Sequence, residues 1–202
     1  ATPYPLHGNG AFAGGTGASG GCGTPVADTG MTWSGCRPTV VACSYVSNIP
    51  ADLFSAQARR AVGQISREVW GDDALAADAE RLSGELVDGV RAFGVVPSPV
   101  GPERIYAYEV DGLGGVLCMD DANTPSLLSL PLIAPDVYDE SVWQATRRFV
   151  LSDANPYYFS APAPSETASW GGVVAGVGSP HTKAGRIWPI ALAVQGLTGG
   201  PA

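Results

Sequence analysis

Acids, amides and aromatic side chains gather in five short stretches of this 202-residue sequence. They are Gly30-Met-Thr-Trp-Ser-Gly-Cys-Arg-Pro38, Tyr106-Ala-Tyr-Glu-Val-Asp-Gly112, Met119-Asp-Asp-Ala-Asn-Thr-Pro-Ser126, Asn155-Pro-Tyr-Tyr158, and Gly178-Ser-Pro-His-Thr182 with Trp188. This mixture is what a sugar site needs. Aromatic faces cover the C–H surface of a sugar, and Asp, Asn, Arg and His bond its hydroxyls. Trp33, Arg37, Asn123 and His181 are the candidate substrate-binding residues. Glu109, Asp111, Asp120 and Asp121 are the acids within these stretches that are candidates for proton transfer.

Each acid also has a structural reading. Asp120 and Asp121 suit the cap of a following helix, since acids favour helix N-termini. Glu109 and Asp111 suit a hairpin and its turn. His181, after Ser-Pro, suits a loop residue bonded to backbone. Other chemistries fit less well. Asp120-Asp-Ala-Asn123 lacks the spacing and distal Glu of a calcium loop. Ser152, Ser179 and His181 stand without a G-x-S-x-G elbow. Gly112-Leu-Gly114 is too short for a phosphate loop and precedes no helix. Cys22, Cys36, Cys43 and Cys118 form no C-x-x-C pair, and His7 and His181 are distant from them in sequence, so neither a metal site nor a cofactor is expected.

These stretches need elements to hold them. Asn48 suits an N-cap and Pro50 a first helical turn. Phe54, Ala58, Ala61, Val62, Ile65 and Val69 then recur at helical spacing, up to a stop at Gly71. Asp72 or Asp73 opens a second helix with Leu75, Ala79, Leu82, Leu86, Val90 and Phe93 on one face, stopped by Gly94. So short a connection predicts an antiparallel pair. Residues 105–110 and 116–119 predict a hairpin around the Gly-rich 111–115. A short helix is expected at 126–130, ending at Pro131, another at 136–152, and a last one at 188–197. Residues 153–186, rich in Pro, Gly and Ser, read as a long loop.

Composition narrows the partners. Lys plus Arg is 11 against 19 Asp plus Glu, a net charge of −8. A chain this acidic does not suit sequence-independent binding to nucleic acid or an anionic membrane. It contains no run of roughly 18 apolar residues and no basic-then-apolar leader. Cysteines without a pairing pattern read as thiols of a reducing, cytoplasmic compartment, with secretion left open. Nine of the 27 glycines fall in the first 30 residues. Residues 1–29 therefore read as a Gly-rich loop or disordered segment, and 30–202 as the folded domain.

The five stretches, in this order, resemble glycoside hydrolase family 125, the metal-independent exo-alpha-1,6-mannosidases, from about Thr24 to Thr198. Pro125-Ser-Leu-Leu-Ser-Leu-Pro131 and Ile187-Trp-Pro189 extend the match. The resemblance implies a mainly α chain that is part of an (α/α)6 barrel with a small β-hairpin. It implies inverting removal of terminal mannose from alpha-1,6-mannosides, with a mannose-containing oligosaccharide as partner. It also implies two departures. The family follows Trp-Ser-Gly-Phe-Arg-Pro with Ser-Asp-Asp and carries its general base there, whereas this chain has Thr39-Val-Val41. The family's general acid is a Glu downstream of the last helix, past Ala202. An impaired or inactive chain is therefore expected when it acts alone. The alternatives are a non-catalytic mannoside-binding pseudoenzyme, or a structural fragment that needs the missing half of the barrel.

Overall fold

A computed structural model of the chain describes residues 24–39, 41–162 and 173–199. Residues 1–23 of the expected N-terminal loop, with Cys22 and His7, lie outside the described residues, as does Val40. Residues 24–29 carry neither helix nor strand.

The helical pair forms where the cap and stop residues put it. A two-residue strand, β1 (Ser47–Asn48), leads into α1 (Ile49–Ile65), with Asn48 Oδ1 accepting from the Ala51 amide at 3.2 Å. A wider π-type turn, Ser66–Trp70, extends α1 to Gly71, whose φ of 67° ends it. Asp72 caps α2 (Asp73–Gly89) by accepting from the Leu75 amide at 2.9 Å. Another π-type turn, Val90–Gly94, follows. Ser83 Oγ donates to the Ala56 carbonyl at 2.8 Å, and a Cβ on Gly63 would stand 3.3 Å from the Ala76 carbonyl. Residue 56 thus meets 83 and residue 63 meets 76, the antiparallel packing that was expected.

The buried face of α1 is not the expected one. Phe54, Ala58, Ala61, Val62, Ile65 and Val69 are all exposed, Phe54 at 45% and Val69 at 71%. The helix turns Leu53, Ala56, Gly63 and Ser66 inward instead. Small residues let the two helix backbones approach closely, and the larger apolar stripe is left on the opposite side. In α2, Ala79, Leu86 and Val90 are buried as expected, while Leu75, Leu82 and Phe93 lie at the exposed edge.

Among the described residues, three small sheets replace the single expected hairpin. β2 (Val95–Pro97) pairs antiparallel with β3 (Arg104–Tyr106). β4 (Glu109–Val110) lies between β1 and β5 (Val116–Leu117). The hairpin around 111–115 is therefore present, but residues 105–110 divide between two sheets because their first half takes 95–97 as partner. At the turn, Asp111 Oδ1 accepts from the amides of Leu113 and Gly115, both at 2.7 Å, and Gly112 sits at φ 71°. The expected loop 153–186 contains a further ribbon, β6 (Tyr158–Pro162) with β7 (Val173–Val177). Its aromatic and valine strand formers are flanked by enough Pro, Gly and Ser to hide them.

The remaining helices among the described residues are α3 (Leu130–Ile133), α4 (Glu140–Val150) and α5 (Pro189–Leu197). The short helix begins at Leu130 instead of ending near it: Pro131 sits in its first turn, and Ser126 and Ser129 bond each other ahead of it. Asp139 caps α4 through the Ser141 and Val142 amides. The core gathers Ile49, Leu53, Ile105, Tyr108, Met119, Leu127, Leu128, Leu130 and Phe149, each at most 2% exposed. Trp143 closes one side, its Nε1 donating to the Leu127 carbonyl at 3.0 Å.

Candidate functional site

Loops, not helices, carry the five stretches, and the structure ties those loops to one another. Arg37 and Glu109 form the first tie. Arg37 Nε donates to Glu109 Oε1 at 2.5 Å and Nη2 donates to Oε2 at 3.1 Å, a two-pronged ion pair. The backbone amides of Ser44 and Tyr45 also donate to Oε2, at 2.8 and 3.2 Å. Arg37 further reaches Ser44 Oγ and lies over the Tyr108 ring. Burial alone would lower its pKa, but the bond to Glu109 and that carboxylate's charge hold it above the ordinary guanidinium value.

The 119–126 stretch provides the second and third ties. Thr39 Oγ1 donates to Asp121 Oδ2 at 2.5 Å, and Asn123 Nδ2 donates to the Pro38 carbonyl at 3.1 Å. Asp120 points elsewhere: its two oxygens accept from the amides of Asp121, Leu127 and Leu128 at 2.8–3.0 Å. That is capping of the turn ahead of α3. Burial raises the Asp120 carboxyl to a pKa of about 7 in spite of those three donors. The Asp120 amide donates in turn to Asn155 Oδ1, and Asn155 Nδ2 to the Val150 carbonyl. The Ala122 amide donates to the Gly178 carbonyl at 3.0 Å. A Cβ on Gly178 would collide with the Arg186 carbonyl and the Phe159 ring, so this crossing requires glycine. The His181 amide donates to Ser179 Oγ, and the His181 ring meets Trp188 edge-on with centroids 6.4 Å apart. Trp188 Nε1 donates to Thr182 Oγ1.

All five stretches thus join in one hydrogen-bonded shell. The predicted residues divide sharply within it. Trp33, 40% exposed, and His181 face outward. Asn123 and Asp111 are half-buried. Arg37, Glu109, Asp120 and Asp121 are buried, the three acids with no exposed surface. Thr39 and Ser44 carry the ties without having been singled out from sequence. Hydroxyls and amides of this kind are too common in loops to stand out before the fold is known. A groove of about 590 Å³ lies between α1 and α2, lined by Arg60, Arg67, Glu80 and Asp88 among others, and none of the predicted residues lines it. Among the described residues no three His, Cys, Asp or Glu side chains cluster as metal ligands.

The sequence matches the family of metal-independent alpha-mannosidases (GH125) over residues 1–201. The chain belongs to that family. It is 36% identical over 173 residues to the meiotically up-regulated gene 157 protein of Schizosaccharomyces pombe, a match that covers 85% of this chain and 32% of that protein. Its structure superimposes at a TM-score of 0.81, with 39% identity, on a Streptococcus pneumoniae metal-independent alpha mannosidase in a non-productive complex with alpha-1,6-mannobiose. That superposition covers 91% of this chain and 41% of the bacterial one. The chain therefore spans under half the length of either relative.

In this alpha-mannosidase-family chain the described residues on either side of Val40 are bonded to each other. The Arg37 amide donates to the Val41 carbonyl at 2.8 Å, Cys43 N to the Gly35 carbonyl at 3.2 Å, and Cys36 bridges to Ala42. Val41, half-buried, offers an isopropyl group that neither takes a proton nor orients water.

Proposed function

We propose that this chain supplies the mannoside-recognising part of a glycoside hydrolase that removes terminal mannose from alpha-1,6-mannosides with inversion. The supporting observation is the single bonded shell that links all five loop stretches and leaves Trp33 and His181 at its surface. In this reading Trp33 covers a sugar face, and His181 and Asn123 bond hydroxyls. Arg37 and Glu109 act beneath the surface as a mutually neutralising brace. No metal or other cofactor takes part. The architecture is part of an (α/α)6 barrel, and the uncovered apolar stripe of α1 belongs against helices supplied by sequence outside these 202 residues.

Inversion needs two carboxyl groups roughly 6.5–9.5 Å apart, one donating a proton and one activating water. Glu109, Asp120 and Asp121 have no exposed surface, and Asp111 Oδ1 is held in its turn. In our reading none of the four supplies the pair, and the 202 residues alone bind mannoside without hydrolysing it. A non-catalytic mannoside-binding role for the whole protein is the second reading. It is favoured by Val40 and Val41 where carboxylates are expected from the resemblance.

Calorimetric titration with alpha-1,6-mannobiose tests recognition: heat of binding is expected, and no heat at millimolar sugar would remove both readings. A longer chain with both flanks then separates them. Release of mannose supports the hydrolase, and binding without release supports the second role.

A further inference from the structure

Two adjacent acids in the 119–126 stretch have different tasks. Asp120 turns inward to the amides ahead of α3, whereas Asp121 reaches across to another segment of the chain. Thr39 Oγ1 and Asp121 Oδ2 lie 2.5 Å apart, with Thr39 only 4% and Asp121 0% exposed. A hydroxyl that close to a carboxylate, shielded from water, makes a strong directional bond. Threonine adds stiffness, because its branched Cβ restricts χ1. The next residue along, Ala122, donates its amide to Gly178 on the loop that carries His181. Asn123 adds a parallel strut from the same turn to the Pro38 carbonyl, and its own amide returns to Asp121 Oδ1 at 3.4 Å. Trp33 sits a few residues before Thr39 on the segment so held.

We propose that Asp121 is a positioning residue: through Thr39 on one side and the Ala122–Gly178 bond on the other, it holds the Trp33-bearing segment against the His181-bearing loop and thereby sets how tightly a mannoside is held. The proposal rests on the mannoside-binding reading above. The task is separate from proton transfer, since Asp121 has no surface of its own to present to a sugar.

Thr39→Val keeps the side-chain shape and removes the hydroxyl, and Thr39→Ser restores the hydroxyl on a smaller side chain. Two readouts apply to the 202-residue chain: hydrogen exchange at the Arg37 and Cys43 amides, which close the base of the loop, and titration with alpha-1,6-mannobiose. In Thr39→Val both amides are expected to exchange about tenfold faster and the sugar to bind about tenfold more weakly, the loss appropriate to one buried charged hydrogen bond. Amides of α2 are expected to keep their exchange rates, and Thr39→Ser to restore both values. If Thr39→Val fails to fold, Asp121→Asn takes its place in the same comparison. Unchanged exchange at Arg37 and Cys43 would overturn the proposal. So would faster exchange with undiminished affinity. A wild-type chain that binds no mannobiose removes the mannoside reading instead, and the exchange result still decides whether Asp121 holds the segment.

Discussion

Replacing Asp52 by Asn should remove a defined part of the pH dependence of stability. Asp52 lies in the first turns of α1 with 2% of its surface exposed. Its Oδ1 accepts from the Thr32 amide at 2.8 Å, while Oδ2 has no partner among the described residues. Burial raises its carboxyl from 3.8 to about 6, and the Thr32 bonds and the Arg59 charge reverse only part of that. The sign follows from proton counting. Below pH 3.8 both folded and unfolded chains carry the proton, and the stabilisation is fully present. As pH rises from about 4 to about 6, the unfolded chain loses its proton first, so folding becomes progressively less favourable. Above pH 6 both forms are ionised and the stabilisation is gone. At pH 5 the folded carboxyl is about nine-tenths protonated and the unfolded one almost fully ionised. The Asp52 contribution between pH 8 and pH 5 is therefore about 1.4 kcal/mol, a factor of ten in the folding constant. Both pH values lie above the pI of about 4.5, which keeps the chain charged. Urea denaturation of wild type and Asp52→Asn at the two pH values gives the four numbers required. Wild type should gain about 1.4 kcal/mol more than the variant on going from pH 8 to pH 5. Asp120 adds a contribution of the same sign, since its carboxyl is also raised, but it is common to both proteins and cancels. Equal gains in the two proteins would refute the assignment of a raised pKa to Asp52.

Three other perturbations probe the shell itself. Arg37→Ala leaves Glu109 buried without its cation and should cost about 3–5 kcal/mol by urea denaturation, with Arg37→Lys restoring only part because an ammonium lacks the fork. Gly178→Ala forces a Cβ against the Arg186 carbonyl and should lower stability by about 1–3 kcal/mol, read as a drop in the thermal midpoint. Trp33→Ala, at an exposed position, should leave the thermal midpoint within a degree or two of wild type and weaken mannobiose binding about tenfold in calorimetry.

Punctuation residues were the most legible part of the sequence. Asn48, Gly71 and Asp72 mark helix ends that the structure reproduces, because capping is a local interaction that needs no knowledge of the rest of the fold. The order of the loop stretches was also legible, and the structure gathers all five. Less was visible of what each polar residue does inside them. Glu109 and Asp121 look alike as acids in a sequence. Their roles follow from Arg37 and Thr39, which lie 72 and 82 positions away. No periodicity encodes such a pairing. The ribbon of β6 and β7 is hidden in the sequence because Pro, Gly and Ser describe its surroundings better than its strands.

The misreading of α1 has a more specific cause, and it bears on what the chain is. Helical spacing picks out Phe54, Ala58, Ala61, Val62, Ile65 and Val69 as one apolar face, and spacing alone does not say which apolar face turns inward. The helix is apolar on two opposite sides. One side, with Ala56, Gly63 and Ser66, is small because α2 approaches it closely enough for Ser83 to bond the Ala56 carbonyl. The other side is large and open, as a face suited to a more distant neighbour would be. A surface helix of a finished domain needs only one apolar stripe. A helix between two layers needs two, and α1 has two while the described residues supply one layer. The uncovered stripe and the 41% coverage of the bacterial chain therefore support the same proposal, in which α1 is an interior member of a larger helical assembly. Polar replacement separates the cases. Val62→Ser and Ile65→Gln should leave the stability of the 202-residue chain within about 0.5 kcal/mol of wild type, as exposed substitutions do, yet cost about 2–4 kcal/mol in a longer chain that covers them. An equal, small effect in both chains, read by urea denaturation, would mean that the stripe stays exposed in the longer chain and that this face of α1 is not an interior one.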